Sequence, residues 1–151
     1  MKRPAPRLLG VAVFAVGLMA VIVGRASAPA GRYTIANGTV YDTKTKLTWQ
    51  QAVPSSTYTQ GGAASYCATL GLNGATWRLP TMKELLSIVD LSVPTPGPTI
   101  DATAFPGTPA DYFWSSTPYA GIPGSAWSAL FYYGFTYGND VSNTSYVRCV
   151  H

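Results

Sequence analysis

Uncharged, mostly apolar residues run from Leu8 to Val23 behind Lys2, Arg3 and Arg7, and beyond Arg25 the chain changes to short alternating segments. At 16 residues the run is shorter than the roughly 17 to 25 that cross a bilayer comfortably. The small residues Ala26-Ser27-Ala28 follow it, so it reads as a secretory signal. Pro29 disfavours a cut directly after Ala28, which makes Ala28-Pro29-Ala30, with cutting before Gly31, a competing site. Left uncut, residues 8–23 would instead anchor the protein in the inner membrane. Residues 1–30 are thus expected to be a signal peptide or uncleaved anchor, and residues 31–151 one exported domain in the periplasm, on the cell surface or secreted. A lipid anchor on a leader cysteine is excluded, because the leader has none.

After the leader the pattern shortens to strand and helix lengths. Thr39-Val40-Tyr41 and Leu47-Thr48-Trp49-Gln50 flank the polar turn Asp42-Thr43-Lys44-Thr45 and predict a hairpin. From Gly61 to Leu70, Ala63, Ala64, Tyr66, Cys67 and Leu70 recur at spacings of three and four, which predicts a helix with Cys67 facing inward. Trp77-Arg78-Leu79 reads as a short strand that Pro80 breaks. Thr81-Met82-Lys83-Glu84 then has the spacing of a capping box and opens a second helix, with Leu85, Leu86, Ile88 and Val89 as its buried face. Pro94, Pro96, Pro98, Pro106 and Pro109 rule out a regular element between residues 91 and 111. Tyr112 to Ser115, Ala126 to Tyr132 and Tyr146 to Cys149 read as strands separated by glycine-rich and asparagine-rich turns. Strands, two helices and strands again, with first and last segments able to pair, predict an α+β domain with adjacent termini.

Charge removes one class of partner. The chain has ten lysines and arginines against six aspartates and glutamates, and Lys2, Arg3, Arg7 and Arg25 all lie in the leader. The domain beyond residue 30 is therefore formally neutral, and the high isoelectric point of the whole chain gives no support to nucleic-acid binding. Arg32, Lys44 and Lys46 lie close in sequence and are read as a solvated hairpin surface. Two cysteines cannot make a disulfide-dense scaffold or a four-ligand zinc site. In an oxidising compartment Cys67 and Cys149 are expected to form a disulfide that fastens the last strand to the first helix. Neither has a nearby histidine or evident base, which speaks against a thiol nucleophile.

Several strings lie in a distinctive order: Gly38-Thr39-Val40-Tyr41-Asp42, Leu47-Thr48-Trp49-Gln50, Tyr66-Cys67, Trp77-Arg78-Leu79-Pro80-Thr81 with Glu84-Leu85, Phe113-Trp114-Ser115-Ser116 and Val147-Arg148-Cys149-Val150. Over about residues 33–150 they resemble the Lcl C-terminal domain family of bacterial exported proteins. The central Trp-Arg-Leu-Pro-Thr string also resembles the helix start in the formylglycine-generating-enzyme branch of C-type lectin-like folds. The resemblance implies a C-type lectin-like domain with two helices and short antiparallel strands. It also implies adhesion or ligand binding outside the cell, the family's namesake being an adhesin module that engages sulfated polysaccharide. This chain departs from that picture in charge, since sulfates need clustered arginines or lysines.

No Ser-His-Asp set, acid-base carboxylate pair or phosphate loop can be assembled, and the lone histidine is His151. The Glu-Pro-Asn, Gln-Pro-Asp and Trp-Asn-Asp triplets of calcium-dependent lectins are absent, leaving Asn139-Asp140 as a weak metal signal. No cofactor, metal or catalytic residue is expected. Arg78 and Arg148 are expected in structural ion pairs with Glu84 or Asp90, and Asp101 and Asp111 as solvated turn caps. Four tryptophans, ten tyrosines and, Phe14 aside, four phenylalanines supply rings able to stack on sugars. Trp49, Trp77 and Trp114 are assigned to the core. Tyr119, Tyr132, Tyr133 and Tyr137, in the glycine-punctuated late region, are the candidate ligand-binding residues. The expected function is an exported, non-catalytic binding or adhesion module for an extracellular glycan or protein, with membrane contact only through an uncleaved leader. A passive envelope component and a formylglycine-generating-type enzyme are the alternatives.

Overall fold

The computed structural model describes residues 28–151. The signal or anchor reading of residues 1–30 therefore falls, save for its last three positions, outside the described residues. Among those described, no helix is long and apolar enough to cross a membrane.

The chain forms an α+β fold of two three-stranded antiparallel sheets and two short helices. The first sheet has β1 (Tyr33–Ala36), β2 (Thr39–Asp42) and β3 (Thr48–Gln50) in chain order. The expected hairpin is β2–β3, and β1 is a third strand that the sequence reading omitted. Asn37 and Gly38 join β1 to β2 with φ of 50° and 77°, the two positive angles that a tight hairpin turn requires and that Asn-Gly supplies. The helices α1 (Gln60–Thr69) and α2 (Met82–Ser87) follow. The second sheet has β4 (Tyr112–Pro118), β5 (Ser125–Leu130) and β6 (Phe135–Asp140) in that order.

The capping box of α2 is present in both directions: the Glu84 N–H donates to Thr81 Oγ1 at 3.3 Å and the Thr81 N–H to Glu84 Oε2 at 2.8 Å. Its buried face is Met82, Leu85 and Ile88, whereas Leu86 is 38% exposed, contrary to expectation. A three-residue spacing keeps Met82, Leu85 and Ile88 on one stripe, and Leu86 is turned about 100° away from Leu85. As expected, no helix or strand forms between residues 91 and 111. That excursion still buries Ile100, Ala104 and Phe105 and docks on the β5–β6 turn through Gly97 N–H to Tyr132 O and Thr99 N–H to Phe131 O.

Both faces of the second sheet are covered. Phe113 and Ala129, on one face, join Trp49, Leu85 and Phe105 in one core cluster, and Trp114 and Ala126, on the other, join Ala63, Cys67 and Trp77 in a second. The tail connects the two sheets. Tyr146 pairs with Phe113, while Val150 bridges both Trp49 and Arg78. The expected strands at Trp77–Leu79 and Tyr146–Cys149 are therefore isolated bridges, because a segment that changes partners within a few residues builds no continuous ladder. Cys67 and Cys149, both fully buried, form the expected disulfide and tie this tail to α1.

Candidate functional site

β6 positions the most exposed rings of the molecule. It lies at the outer edge of its sheet, and every residue in it except Asn139 is exposed. The sequence reading took this stretch as turn, so Phe135 was missed. Its alternation, Phe135 and Tyr137 against Thr136 and Gly138, is the signal that could have revealed it. Directly paired residues share a face of a sheet. Leu130 pairs with both Tyr112 and Phe135, and Ser128 with both Trp114 and Tyr137, which puts Tyr112, Phe135 and Tyr137 on one face.

On and beside that face the rings meet in two groups. Tyr132 meets Tyr133 edge-on at 4.5 Å, Tyr133 stacks on Phe135 at 5.9 Å with 26° between planes, and Tyr137 meets Tyr112 edge-on at 5.5 Å. Phe135 is 58% exposed and Tyr133 45%. An exposed ring by itself is unremarkable, but several exposed rings gathered at one edge of a sheet mark a candidate interaction surface. The turn that carries it is built by Gly134 at φ 76°, where a Cβ would lie 2.6 Å from Leu91 Cδ2 and 3.0 Å from Val89 Cγ1.

Of the expected set the structure brings Tyr132 and Tyr133 into contact, sets Tyr137 against Tyr112, and separates Tyr119 from them. Tyr119 packs edge-on against Trp127 at 4.6 Å and lies over Gly138, whose Cβ would meet the Tyr119 ring at 2.9 Å. Trp127 and Gly138 are paired, so this contact is on the opposite face from Phe135 and Tyr137. Tyr119 closes off that face by packing, a structural role.

Two hollows lie elsewhere, both lined by Thr81. One of about 440 Å³ is lined by Leu47, Lys83, Glu84 and Ser87, and another of about 530 Å³ by Ala64, Trp77, Arg78 and Ser116. Three of their polar side chains, Arg78, Glu84 and Trp77, are already engaged. Arg78 donates to both Glu84 oxygens at 2.8 and 2.6 Å, the ion pair expected for it. The Arg78 hydrogen bonds, partly offset by burial, and those from Thr81 lower the Glu84 carboxyl to about 2. The Trp77 indole N–H donates to Leu72 O at 2.9 Å.

Arg148 corrects the ion-pair expectation. It is fully buried and meets no carboxylate: its guanidinium donates to Gln50 O, Gln51 O and Thr108 Oγ1 and lies over the Phe105 ring, and burial lowers its pKa to about 9. Arg32 makes the second ion pair, with Asp42 at 2.8 Å, and also donates to Ser87 O. Asp101 does cap a turn, accepting from the Thr103 and Ala104 N–H groups, but it is 6% exposed rather than solvated, and its other oxygen accepts from the Ala28 N–H. Asp111 accepts from the Tyr112 N–H. At the weak metal signal, Asp140 Oδ1 is bonded to the Ser142 hydroxyl and N–H, which lower its pKa, and Asn139 donates to Ser128 Oγ. Among the described residues no group of three or more His, Cys, Asp or Glu side chains is placed to hold a metal ion.

Electrostatics separate the aromatic strip from the rest of the surface. No lysine or arginine occurs between Lys83 and Arg148, so β4, β5, β6 and all their connections are free of basic residues. Asp111 and Asp140 are the only charged residues from 102 to 147. The strip offers apolar ring faces and tyrosine hydroxyls, and no residue of the sheet that carries it is basic.

Comparison with known proteins places the chain in context. The family model described as the Lcl C-terminal domain matches residues 38–151. No curated protein matches.

Proposed function

The chain belongs to the Lcl C-terminal domain family, and from that premise we propose that it is an exported, non-catalytic binding or adhesion module on a C-type lectin-like scaffold. Its ligand surface is the strip Tyr132, Tyr133, Phe135, Tyr137 and Tyr112, and its ligand an uncharged extracellular glycan. The observation that carries this reading is the gathering of four exposed rings, Tyr132, Tyr133, Phe135 and Tyr137, at one sheet edge in a stretch of chain without basic residues. Stacking on a sugar face needs a flat apolar ring with a polar rim, which tyrosine provides. A sulfated chain would bring anions to a surface whose only charges are carboxylates, with no arginine or lysine to offset their desolvation. The leader pattern and the buried disulfide support a location outside the cytoplasm.

Affinity electrophoresis of the protein from its native compartment, through gels containing neutral or sulfated polysaccharides, tests this. We expect retardation by a neutral polysaccharide, and at least a tenfold loss in the Tyr133→Ala/Phe135→Ala variant, given about 1–3 kcal/mol per stacked ring. Both side chains are exposed, so the variant keeps its core. Retardation by sulfated chains alone, or by none, would refute the reading.

A further inference from the structure

We propose that the open edge of β6 pairs antiparallel with β6 of a second copy of this chain, joining two three-stranded sheets into one of six strands. The two sheets of the protein present four outer edges, and its tail seals two of them. The edge of β3 is covered by Thr48 N–H to His151 O, His151 N–H to Thr48 O and Gln50 N–H to Cys149 O. The edge of β4 is covered by Trp114 N–H to Tyr146 O and Tyr146 N–H to Tyr112 O. Of the two left, β1 has four residues and β6 has six.

Along Phe135–Asn139 no backbone group bonds to any described segment other than β5. A strand points its polar groups alternately to either side, so the outer row is unpaired and forms a template for another strand. Proteins that stay monomeric usually blunt such an edge with a lysine, a proline or a bulge. β6 contains no lysine or proline, and the irregularity of its sheet lies between Trp114 and Pro118 of β4.

The occupant follows from register and charge. An antiparallel pair centred on Tyr137 sets Tyr137 against its own copy, Phe135 against Asn139, Thr136 against Gly138, and Asp140 against the neutral Gly134. No like charges oppose. Opposite residues share a face, so the ring strips of both copies lie side by side on one face of the joined sheet. Up to Asp140 at its end the edge is uncharged and aromatic, and it selects a strand of the same kind, as Phe135–Asn139 of a second copy is. The pairing uses the backbone edge and leaves the ring faces open, so it goes beyond the ligand reading and does not depend on it. With a ligand it doubles the valency.

Sedimentation of the whole protein across concentration tests the pairing. The expected result is a reversible monomer–dimer equilibrium on the order of micromolar. Tyr137→Lys places two ammonium groups opposite each other at the two-fold axis and should weaken the dimer at least tenfold. Tyr137→Glu should do the same, and mixing the two variants should restore a dimer. Each variant is checked for an unchanged circular dichroism spectrum, since Tyr137 is exposed. A monomer at all concentrations, a dimer indifferent to Tyr137→Lys, or no recovery on mixing would overturn the proposal. An unaltered protein that dimerises but is retarded by no neutral polysaccharide would count against the ligand reading only.

Discussion

Removing the crosslink by Cys67→Ala with Cys149→Ala should destabilise the fold strongly and unevenly. The bridge spans a sequence separation of 82. In the chain-entropy account, freeing a loop of that length returns about 4.5 kcal/mol to the denatured ensemble. A domain of this size has about 5–15 kcal/mol in total. With a urea slope of about 1.5 kcal/mol per molar, the unfolding midpoint should fall by about 3 M. The loss concentrates on α1. That helix has ten residues, two of them glycines, below the length at which isolated helices are stable in water, and buries only Ala63 and Cys67. Its remaining ties are the Thr59 cap, Gln60 N–H to Val141 O, the Gln60 side chain to Ser115 O, the Gln50 side chain to the Tyr66 hydroxyl and the Tyr66 ring against Tyr58. Urea titration followed by tryptophan fluorescence reads the global change, since Trp49, Trp77 and Trp114 are all buried. Amide exchange reads the local one: protection in Ala63–Leu70 should drop well below that of β5. A midpoint shift under about 1 M, or equal protection in α1 and β5, would refute the reasoning.

Arg148→Met keeps much of the volume but strips Gln50 O, Gln51 O and Thr108 Oγ1 of their donor, and should cost about 3 kcal/mol. A thermal melt as high as the wild type's would show that the guanidinium does not brace the β3–tail junction. The Glu84 carboxyl, held at about 2 by the Arg78 and Thr81 hydrogen bonds, stabilises the fold above its ordinary 4.5 and loses that contribution as pH falls toward 2. For an ion pair this exposed the screened contribution is about 1 kcal/mol, so chemical melts at pH 6 and pH 2.5 should differ by that much more in wild type than in Glu84→Gln. Equal differences would remove the Arg78–Glu84 pair from the account.

Local chemistry was legible in the residues themselves. The capping box at Thr81 and Glu84, the β2–β3 hairpin, the absence of regular structure over residues 91–111 and the inward face of Cys67 all follow from spacings within a few positions. The Cys67–Cys149 pairing was legible by count, since only two cysteines exist. Arg78 and Arg148 look alike in sequence, each beside buried apolar residues, yet one reaches a carboxylate six positions away and the other none. A partner within one turn and strand can be read from spacing. The Arg148 acceptors lie 40 to 98 residues distant, beyond any local pattern.

The late tyrosines show the same division. Their number and the lack of any basic residue from 84 to 147 are properties of the sequence, and they already restrict what this half of the chain can attract. Which rings share a surface was decided by tertiary structure. β6 remains bare because the tail seals β3 and β4 and leaves it at an edge, and Tyr119 is withdrawn because Gly138 leaves room for its ring beside Trp127. Side-chain periodicity operates over two to four residues, whereas edge position and ring contact depend on segments far apart in the chain, so only the assembled fold could sort these tyrosines into exposed and packed ones.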